Sequence, residues 1–219
     1  MADWILDNYP APFGLSIMAD MKDADNNALY ISGPSLVLPD LSYYAEGNQV
    51  GEALLGVFSD MVSTMMVMSG KTEEEGARIA EETLAFDKLL VPYAKTALES
   101  SDYTSLYNPM TLDELNALSK NFDFGAVITE LLGEAPEKVI VTDPRFFDAF
   151  DEVVNEENFP LMQSWMTAQL VMGLSSYLSE DFRVAGSAYS MTMSGTTEMM
   201  PQKRYAYTMA TNLYVYPVG

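Results

Sequence analysis

The stretch that decides the fold is residues 29–44, LYISGPSLVLPDLSYY. It reads as a short strand, a turn at Gly33-Pro34, and a Leu-x-Leu-Pro-Asp run that ends in the paired tyrosines Tyr43 and Tyr44. Glycine and proline mark turns more strongly than other residues, so their placement here indicates a specific local structure and not a generic loop.

The composition of the chain limits its size class and its partners. Its 219 residues suffice for one large domain or two small ones, and a hydrophobic content of 48% predicts a folded core. Eleven basic and 32 acidic residues give a formal net charge of −21. Because that charge repels phosphate backbones and anionic lipids, we expect no nucleic-acid partner and no membrane partner.

Two residue types are missing, and their absence excludes several site chemistries. The chain contains no cysteine and no histidine, so it can form no disulfide, no thiolate metal site and no serine–histidine pair. Its first residues, MADWILDNYPAPFG, lack the basic and apolar regions of a signal peptide, and no run resembles a membrane span. These features predict a soluble, cytoplasmic protein.

A few short strands are predicted near the beginning and the middle of the chain. Residues 13–21 and 28–32 are apolar enough to form a hairpin, and the polar link DADNN between them predicts its turn. Residues 138–142, KVIVT, form a further β-prone run.

The rest of the sequence is helical. A long apolar stripe starts near Asn48 and is stopped by Gly70, and Thr72 with Glu75 then forms a capping box. The second helix runs towards Ser100, with a break near Pro92. Later helix signals are the Thr111/Glu114 capping box, residues 125–132 before Gly133, an Asp143 N-cap before Pro144, Pro160, residues 180–195 and Pro201. The predicted fold class is mainly α, a multi-helix domain with one or two short β-hairpins or strands.

An acidic link near the first strand could suggest calcium. Its members are Asp20, Asp23, Asp25 and Asn27. An EF-hand loop that started at Asp23 would place Ala28 where glycine is required and Pro34 where glutamate is required, so we expect a solvated turn.

Other groups that could suggest a site are better explained by structure. Most of the sixteen methionines, such as Met61 and Met65, fall at helix-core spacing, which favours core packing over a soft-metal site or a peptide groove. Residues 73–75 are three glutamates in a first helical turn, where negative charge complements the helix dipole. Glu81 and Glu82 are expected on a solvated helix face.

No motif for phosphate binding or nucleophilic catalysis occurs in the sequence. Gly-x-Gly-x-x-Gly, Gly-Lys-Ser/Thr and Gly-x-Ser-x-Gly are all missing. A hydrolase built on two carboxylates stays open as an alternative, because the sequence does not show which acids meet in space.

Several segments, in the same order, resemble the neprilysin-type zinc endopeptidases, the family that includes bacterial endopeptidase O. The deciding stretch resembles the family's Leu-Pro-x-x-x-Tyr-Tyr core, with Val37 where the family usually has glycine. The other matching segments are Phe13-Gly14-Leu15, Tyr107 to Leu112, Val139 to Pro144, Leu161 with Trp165, and Gly195 to Glu198 followed by Lys203-Arg204. The resemblance covers residues 13–213.

The resemblance implies a non-catalytic helical domain that faces a thermolysin-like zinc domain across a large chamber. The family's zinc ligands belong to a His-Glu-x-x-His motif and a later glutamate, which have no counterpart here. Residues 27–30, Asn-Ala-Leu-Tyr, imitate the family's substrate-binding strand but lie in the wrong place in the order of segments. We therefore expect no catalytic, cofactor-binding or metal-binding residue in this chain.

The leading hypothesis is a fragment of a bacterial neprilysin-like zinc metalloendopeptidase that cleaves short peptides. Residues 1–219 would be one partial domain, with a hairpin and turn region in 1–45 and helices in 46–219. The chain starts inside a domain and ends at LYVYPVG, inside or just after a helix, on this interpretation. Its partners would be the parent's catalytic domain and, through the parent, peptides; zinc would belong to the parent. The fragment is expected to self-associate, whereas the alternative, a stand-alone non-enzymatic helical binding module, would melt as a monomer.

Overall fold

A computed structural model describes residues 1–7 and 9–213. Within them the chain is mainly helical with one small mixed sheet, which confirms the predicted fold class. The strands are β1 (Gly14–Asp20), β2 (Asp23–Ser32), β3 (Asn108–Met110) and β4 (Val139–Val141). The helices are α1 (Ala2–Leu6), α2 (Gln49–Met68), α3 (Glu73–Leu90), α4 (Ala97–Ser101), α5 (Leu112–Asn116), α6 (Phe124–Leu132), α7 (Pro144–Asp148), α8 (Phe150–Val153), α9 (Phe159–Leu174), α10 (Glu180–Ala185), α11 (Ala188–Ser194) and α12 (Gln202–Leu213).

The sheet has the order β1-β2-β4-β3. Strands β1 and β2 form an antiparallel hairpin, β2 pairs parallel to β4, and β3 pairs antiparallel to β4. The sheet therefore joins the start of the chain to segments more than a hundred residues away. Strand β3 contains Pro109, which an edge strand tolerates because one side of its backbone needs no partner.

The predicted position of the hairpin turn was wrong. Residues 23–27 belong to β2, and the chain reverses at Met21-Lys22, where Asp20 pairs with Asp23 across an irregular register. The Asp20 carboxylate accepts a 2.8 Å hydrogen bond from the Lys22 backbone N–H, and this bond closes the tight turn.

Helix boundaries follow the predicted caps closely. Asn48 caps α2, and capping boxes open α3 at Thr72 and α5 at Thr111. Helix α3 ends at Leu90, just before Pro92, as expected. Three other expectations were wrong: α5 is shorter than its pattern, residues 180–195 form two helices, and the Asp143 side chain makes no capping bond. The expected end of the last helix at LYVYPVG lies, from residue 214 onward, outside the described residues.

The two largest hydrophobic clusters hold most of the described elements together. The larger one is aromatic: Phe124, Phe147 and Phe150 are fully buried between the sheet and α9, and Trp165 packs against Phe86. The smaller one joins α2, α3 and α9. Its methionines are Met61, Met65 and Met66, all buried. Their burial confirms core packing as the role of this part of the methionine pattern.

Helix α2 is long and apolar enough, by length and composition alone, to cross a membrane. In this structure its apolar stripe packs against α3, α9 and α11. Buried core helices meet the same length and composition test, and the packing of α2 is that of a core helix.

Candidate functional site

The deciding stretch is fastened to α3 by a buried carboxylate. Asp87 is 1% exposed and accepts hydrogen bonds from the Tyr44 hydroxyl (2.5 Å) and the Val37 backbone N–H (2.8 Å). The Tyr44 oxygen in turn accepts the Leu38 N–H at 3.0 Å, and the Tyr189 hydroxyl donates to the Val37 carbonyl at 2.7 Å. The tyrosine and proline motif is therefore the anchor of a structural network.

Burial controls the ionisation of this network. Loss of solvent raises the pKa of the Asp87 carboxyl above its ordinary value, although the two hydrogen bonds that it accepts favour the charged form. Burial and the hydrogen bond to Asp87 also raise the pKa of the Tyr44 hydroxyl, which keeps it protonated as a donor. The pair has a stabilising geometry, and nothing around it resembles a nucleophile with its base.

Close backbone contact also ties the deciding stretch to α2. A Cβ atom on Gly51 would lie 1.9 Å from the Tyr43 carbonyl oxygen, so only glycine permits this approach. Gly33 makes a similar but less severe close contact, because a Cβ atom there would lie 2.9 Å from the Phe146 ring. The sequence suggested the importance of Gly33 but gave no signal for Gly51.

The acidic link that suggested calcium is occupied by structural contacts. Asp20 is buried and pairs with the Lys138 ammonium, which lowers the pKa of the Asp20 carboxyl to about 2. The Asp23 carboxylate accepts a 2.8 Å hydrogen bond from the Asn26 amide. These bonds hold the end of the hairpin, although the turn lies before the predicted link and not within it.

Residues 27–30, the apparent copy of a substrate-binding motif, lie in β2. Tyr30 is buried, and its hydroxyl donates to the Ala19 carbonyl (3.1 Å) while it accepts the Met21 N–H (3.2 Å). In this chain Tyr30 of the motif therefore stabilises the hairpin.

Two glutamates of α3 have structural roles. Glu75 accepts the Thr72 N–H in the capping box of α3, as expected. Glu82 was expected on a solvated face, but it is half-buried and joins α3 to α9 by accepting from the Ser164 hydroxyl and the Arg78 guanidinium. That contact needs Ser164 from a distant helix, so the local pattern could not show it.

Across residues 1–7 and 9–213, no three aspartates or glutamates converge to hold a metal ion. With no histidine or cysteine anywhere in the sequence, the donor set does not fit zinc. That no residue of this chain is catalytic or binds a cofactor stays a prediction.

A partly exposed row of apolar side chains on α9 was not predicted from the sequence. Polar and apolar residues are not segregated to separate sides of this helix, and α3 and α2 pack against it. Its outer side carries Phe159, which is 52% exposed, then Met166, Leu170 and Leu174 at helical spacing. The sequence signal for this surface is the absence of a distinct polar side on α9, since an ordinary surface helix separates its polar and apolar residues.

A groove runs between this outer side of α9 and the first residues of the chain. Its volume is about 550 Å³. Its walls include Trp4, Pro10, Phe159, Met166 and Leu170. The Trp4 indole N–H donates to the Pro10 carbonyl at 2.7 Å, which leaves its ring to form an apolar wall. We call this surface, Trp4 and Pro10 together with the outer row of α9, the α9 groove.

Comparisons with known proteins give a consistent result. The sequence model described as Peptidase family M13 matches residues 1–219. A neutral endopeptidase of Lactococcus lactis subsp. cremoris is 35% identical over 210 residues, which are 96% of this chain and 33% of that protein.

Solved structures share the fold. PEPO from Lactobacillus rhamnosis HN001 superposes with a TM-score of 0.85 at 22% identity, over 97% of this chain and 34% of that one. The Mycobacterium tuberculosis zinc metalloprotease ZMP1 in its open state gives 0.80 at 20% identity, over 94% and 32% of the two chains. This chain therefore spans about a third of the length of the relatives it matches.

Proposed function

This chain belongs to peptidase family M13, and we propose that it forms a chamber-wall part of a bacterial zinc metalloendopeptidase that cleaves short peptides. The resemblance to neprilysin-type endopeptidases is confirmed by the family match over residues 1–219. Because the relatives are about three times longer, the activity is proposed for the parent protein and not for this chain alone.

The proposed role of this part is steric. Its residues offer no donor set for the zinc that the family implies, so the zinc and the base that activates water would belong to the remaining two thirds of the parent. When bound there, zinc would polarise the peptide carbonyl and activate a water molecule. The present chain would contribute a rigid wall that limits the size of peptides reaching that centre.

The observation that carries this proposal is the α9 groove. Phe159 is 52% exposed, and Met166 and Leu170, which are partly buried, continue the same row; exposed apolar surface of this kind marks an interface. The rest of the parent chain is the occupant that family membership supplies. That residues 1–219 form one partial domain, in a cytoplasmic parent, remains part of the proposal.

The first test is enzymatic. The purified chain, supplied with zinc, should not release product from a quenched fluorescent nonapeptide above the buffer control. Turnover that a chelator abolishes would show that a zinc centre can form on this chain, and it would contradict the assignment of the centre to the rest of the parent.

The second test concerns the groove. The isolated chain should self-associate or bind an apolar dye, and Phe159→Ser should reduce either signal severalfold. Val50→Ser is the matched control, because Val50 is 57% exposed on α2, away from the groove. Equal effects of the two substitutions, or a wild-type chain that is monomeric and binds no dye, would favour the stand-alone helical module.

A further inference from the structure

Strand β1 is an edge of the sheet with little cover on either face. Among residues 1–7 and 9–213, β2 is the only strand that pairs with it in the order β1-β2-β4-β3. Residues 16–19 are all exposed, and the exposed fraction reaches 62% at Ile17 and 49% at Met18. Only Leu15 reaches back towards the aromatic core.

The hydrogen-bonding pattern of β2 shows which groups of β1 point outward. The Thr142 N–H donates to the Ile31 carbonyl at 3.0 Å, so the backbone groups of Ile31 face β4. Because backbone groups alternate in direction along a strand, those of Tyr30 and Ser32 face β1. The β1 residues opposite them are Ser16 and Gly14.

The intervening residues of β1 therefore present their backbone to the open side. Leu15 and Ile17 pair in register with Ile31 and Leu29, and their N–H and C=O groups point away from β2. Each residue offers one donor and one acceptor, which is the pattern that a further strand would recognise.

This edge lacks the usual protection against pairing. Natural edge strands carry charges, prolines or bulges along their length. Between Gly14 and Ala19 the sequence is GLSIMA, with no charge and no proline, in a chain of net charge −21. The register is irregular only at Ala19/Asp20, after the open groups.

We propose that the open edge of β1 binds an extended peptide by strand addition. This inference rests on the proposed function, since peptides are the substrate class proposed for the parent. The edge would bind the peptide backbone through Leu15 and Ile17, and the exposed Ile17 and Met18 side chains would favour apolar side chains beside them. Asp23 and Asp25 at the turn end, and the net charge of −21, favour a peptide with basic ends.

Hydrogen exchange of individual amides in the 219-residue chain tests the proposal directly. The probe is an eight-residue peptide of alternating valine and threonine with a lysine at each end. The control is the same peptide with every second backbone nitrogen methylated, which removes the donors needed for pairing. At saturating probe the Leu15 and Ile17 amides should slow by more than about tenfold, and the control should leave them unchanged.

The neighbouring amides of Ser16 and Met18 serve as an internal reference. They bond to β2 already, so they should exchange slowly with or without the probe. Ile17→Pro should remove the response at Leu15, because proline lacks the outward N–H, whereas Ile17→Thr should keep it. If Ile17→Pro does not fold, the wild-type amides and the methylated control still decide the question.

Three results would overturn the proposal. The first is no change at Leu15 and Ile17 at saturating probe. The second is slow exchange of these amides without probe that depends on protein concentration, which would make a second copy the occupant. The third is equal protection by the methylated control. None of these measurements depends on peptidase activity, so a negative result would not contradict the proposed parent enzyme. Conversely, a native product the size of this chain would contradict the parent enzyme but not peptide binding at β1.

Discussion

Two regions of this molecule differ in how completely the described chain uses its groups. Around Asp87, the Tyr44 hydroxyl and the Val37 N–H of the deciding stretch both donate hydrogen bonds to the carboxylate. Helix α2 approaches the same stretch so closely that only glycine fits at position 51. In the α9 groove, Phe159 is 52% exposed, and Met166 and Leu170 on the same helix are only partly buried. The difference teaches that one region is complete within this chain, whereas the other has the properties of a surface that meets further protein.

The largest expected difference between the two regions comes from a pair of phenylalanines. Phe150 is fully buried in the aromatic core, and Phe159 is 52% exposed in the α9 groove. Phe150→Ala should lower the free energy of unfolding by about 3–5 kcal/mol, because it removes buried area and leaves a cavity. Phe159→Ala should change it by less than about 0.5 kcal/mol. Urea denaturation of both variants measures the contrast, and a large loss at Phe159 would mean that the groove is already closed in the isolated chain.

A pair of glycines in α2 gives the next effect. Gly51→Ala should cost about 1–3 kcal/mol because the new Cβ atom collides with the Tyr43 carbonyl. Gly56→Ala, in the same helix with no atom near its Cβ position, should gain up to about 1 kcal/mol from helix propensity. Thermal unfolding of the two variants should therefore shift in opposite directions. A neutral Gly51→Ala would show that the contact with the deciding stretch is loose.

The paired tyrosines offer a test of the network itself. Tyr44→Phe removes the donor to Asp87 and the acceptor of the Leu38 N–H, which should cost about 1–3 kcal/mol. Tyr43→Phe is the matched control, because the Tyr43 hydroxyl makes no hydrogen bond within the described part of the chain. Chemical denaturation should separate the two variants clearly. Equal stabilities would contradict the anchoring role of Tyr44.

The smallest effect is a difference in pH dependence between two buried carboxylates. The pKa of Asp20 is lowered to about 2 by Lys138, so its contribution to stability is present above its ordinary pKa of 3.8 and is lost as the pH falls towards 2. The pKa of Asp87 is raised by burial, so its contribution is present below 3.8 and is lost as the pH rises through the folded value. The loss in free energy of unfolding caused by Asp20→Asn should therefore grow as the pH rises, and the loss caused by Asp87→Asn should shrink. Unfolding curves of both variants across the acid range should show opposite slopes, and parallel slopes would contradict the assigned causes.

Local signals in the sequence predicted much of the fold. The capping boxes at Thr72 and Thr111, the helix start near Asn48 and the break before Pro92 are determined within a few residues, so a single segment contains the information. The same is true of Gly133, which ends α6 in the left-handed conformation that glycine favours.

The parts that the sequence did not predict depend on distant partners. Strand β3 exists because Asn108–Met110 meets β4, and the hairpin turn is set by the Asp20 bonds and not by the polar link after it. The roles of Asp87 and Glu82 require Tyr44 and Ser164 from other elements. The α9 groove was not predicted because a helix whose polar and apolar residues are not segregated does not reveal which side stays open.

The most direct test of the central claim is the intact mass of the native gene product in the source cell, together with the sequence that follows this segment. The proposed function predicts a product several times heavier than the 24.2 kDa of this chain, with His-Glu-x-x-His further along. A native product of 24.2 kDa would contradict it and would make this fold a stand-alone helical module.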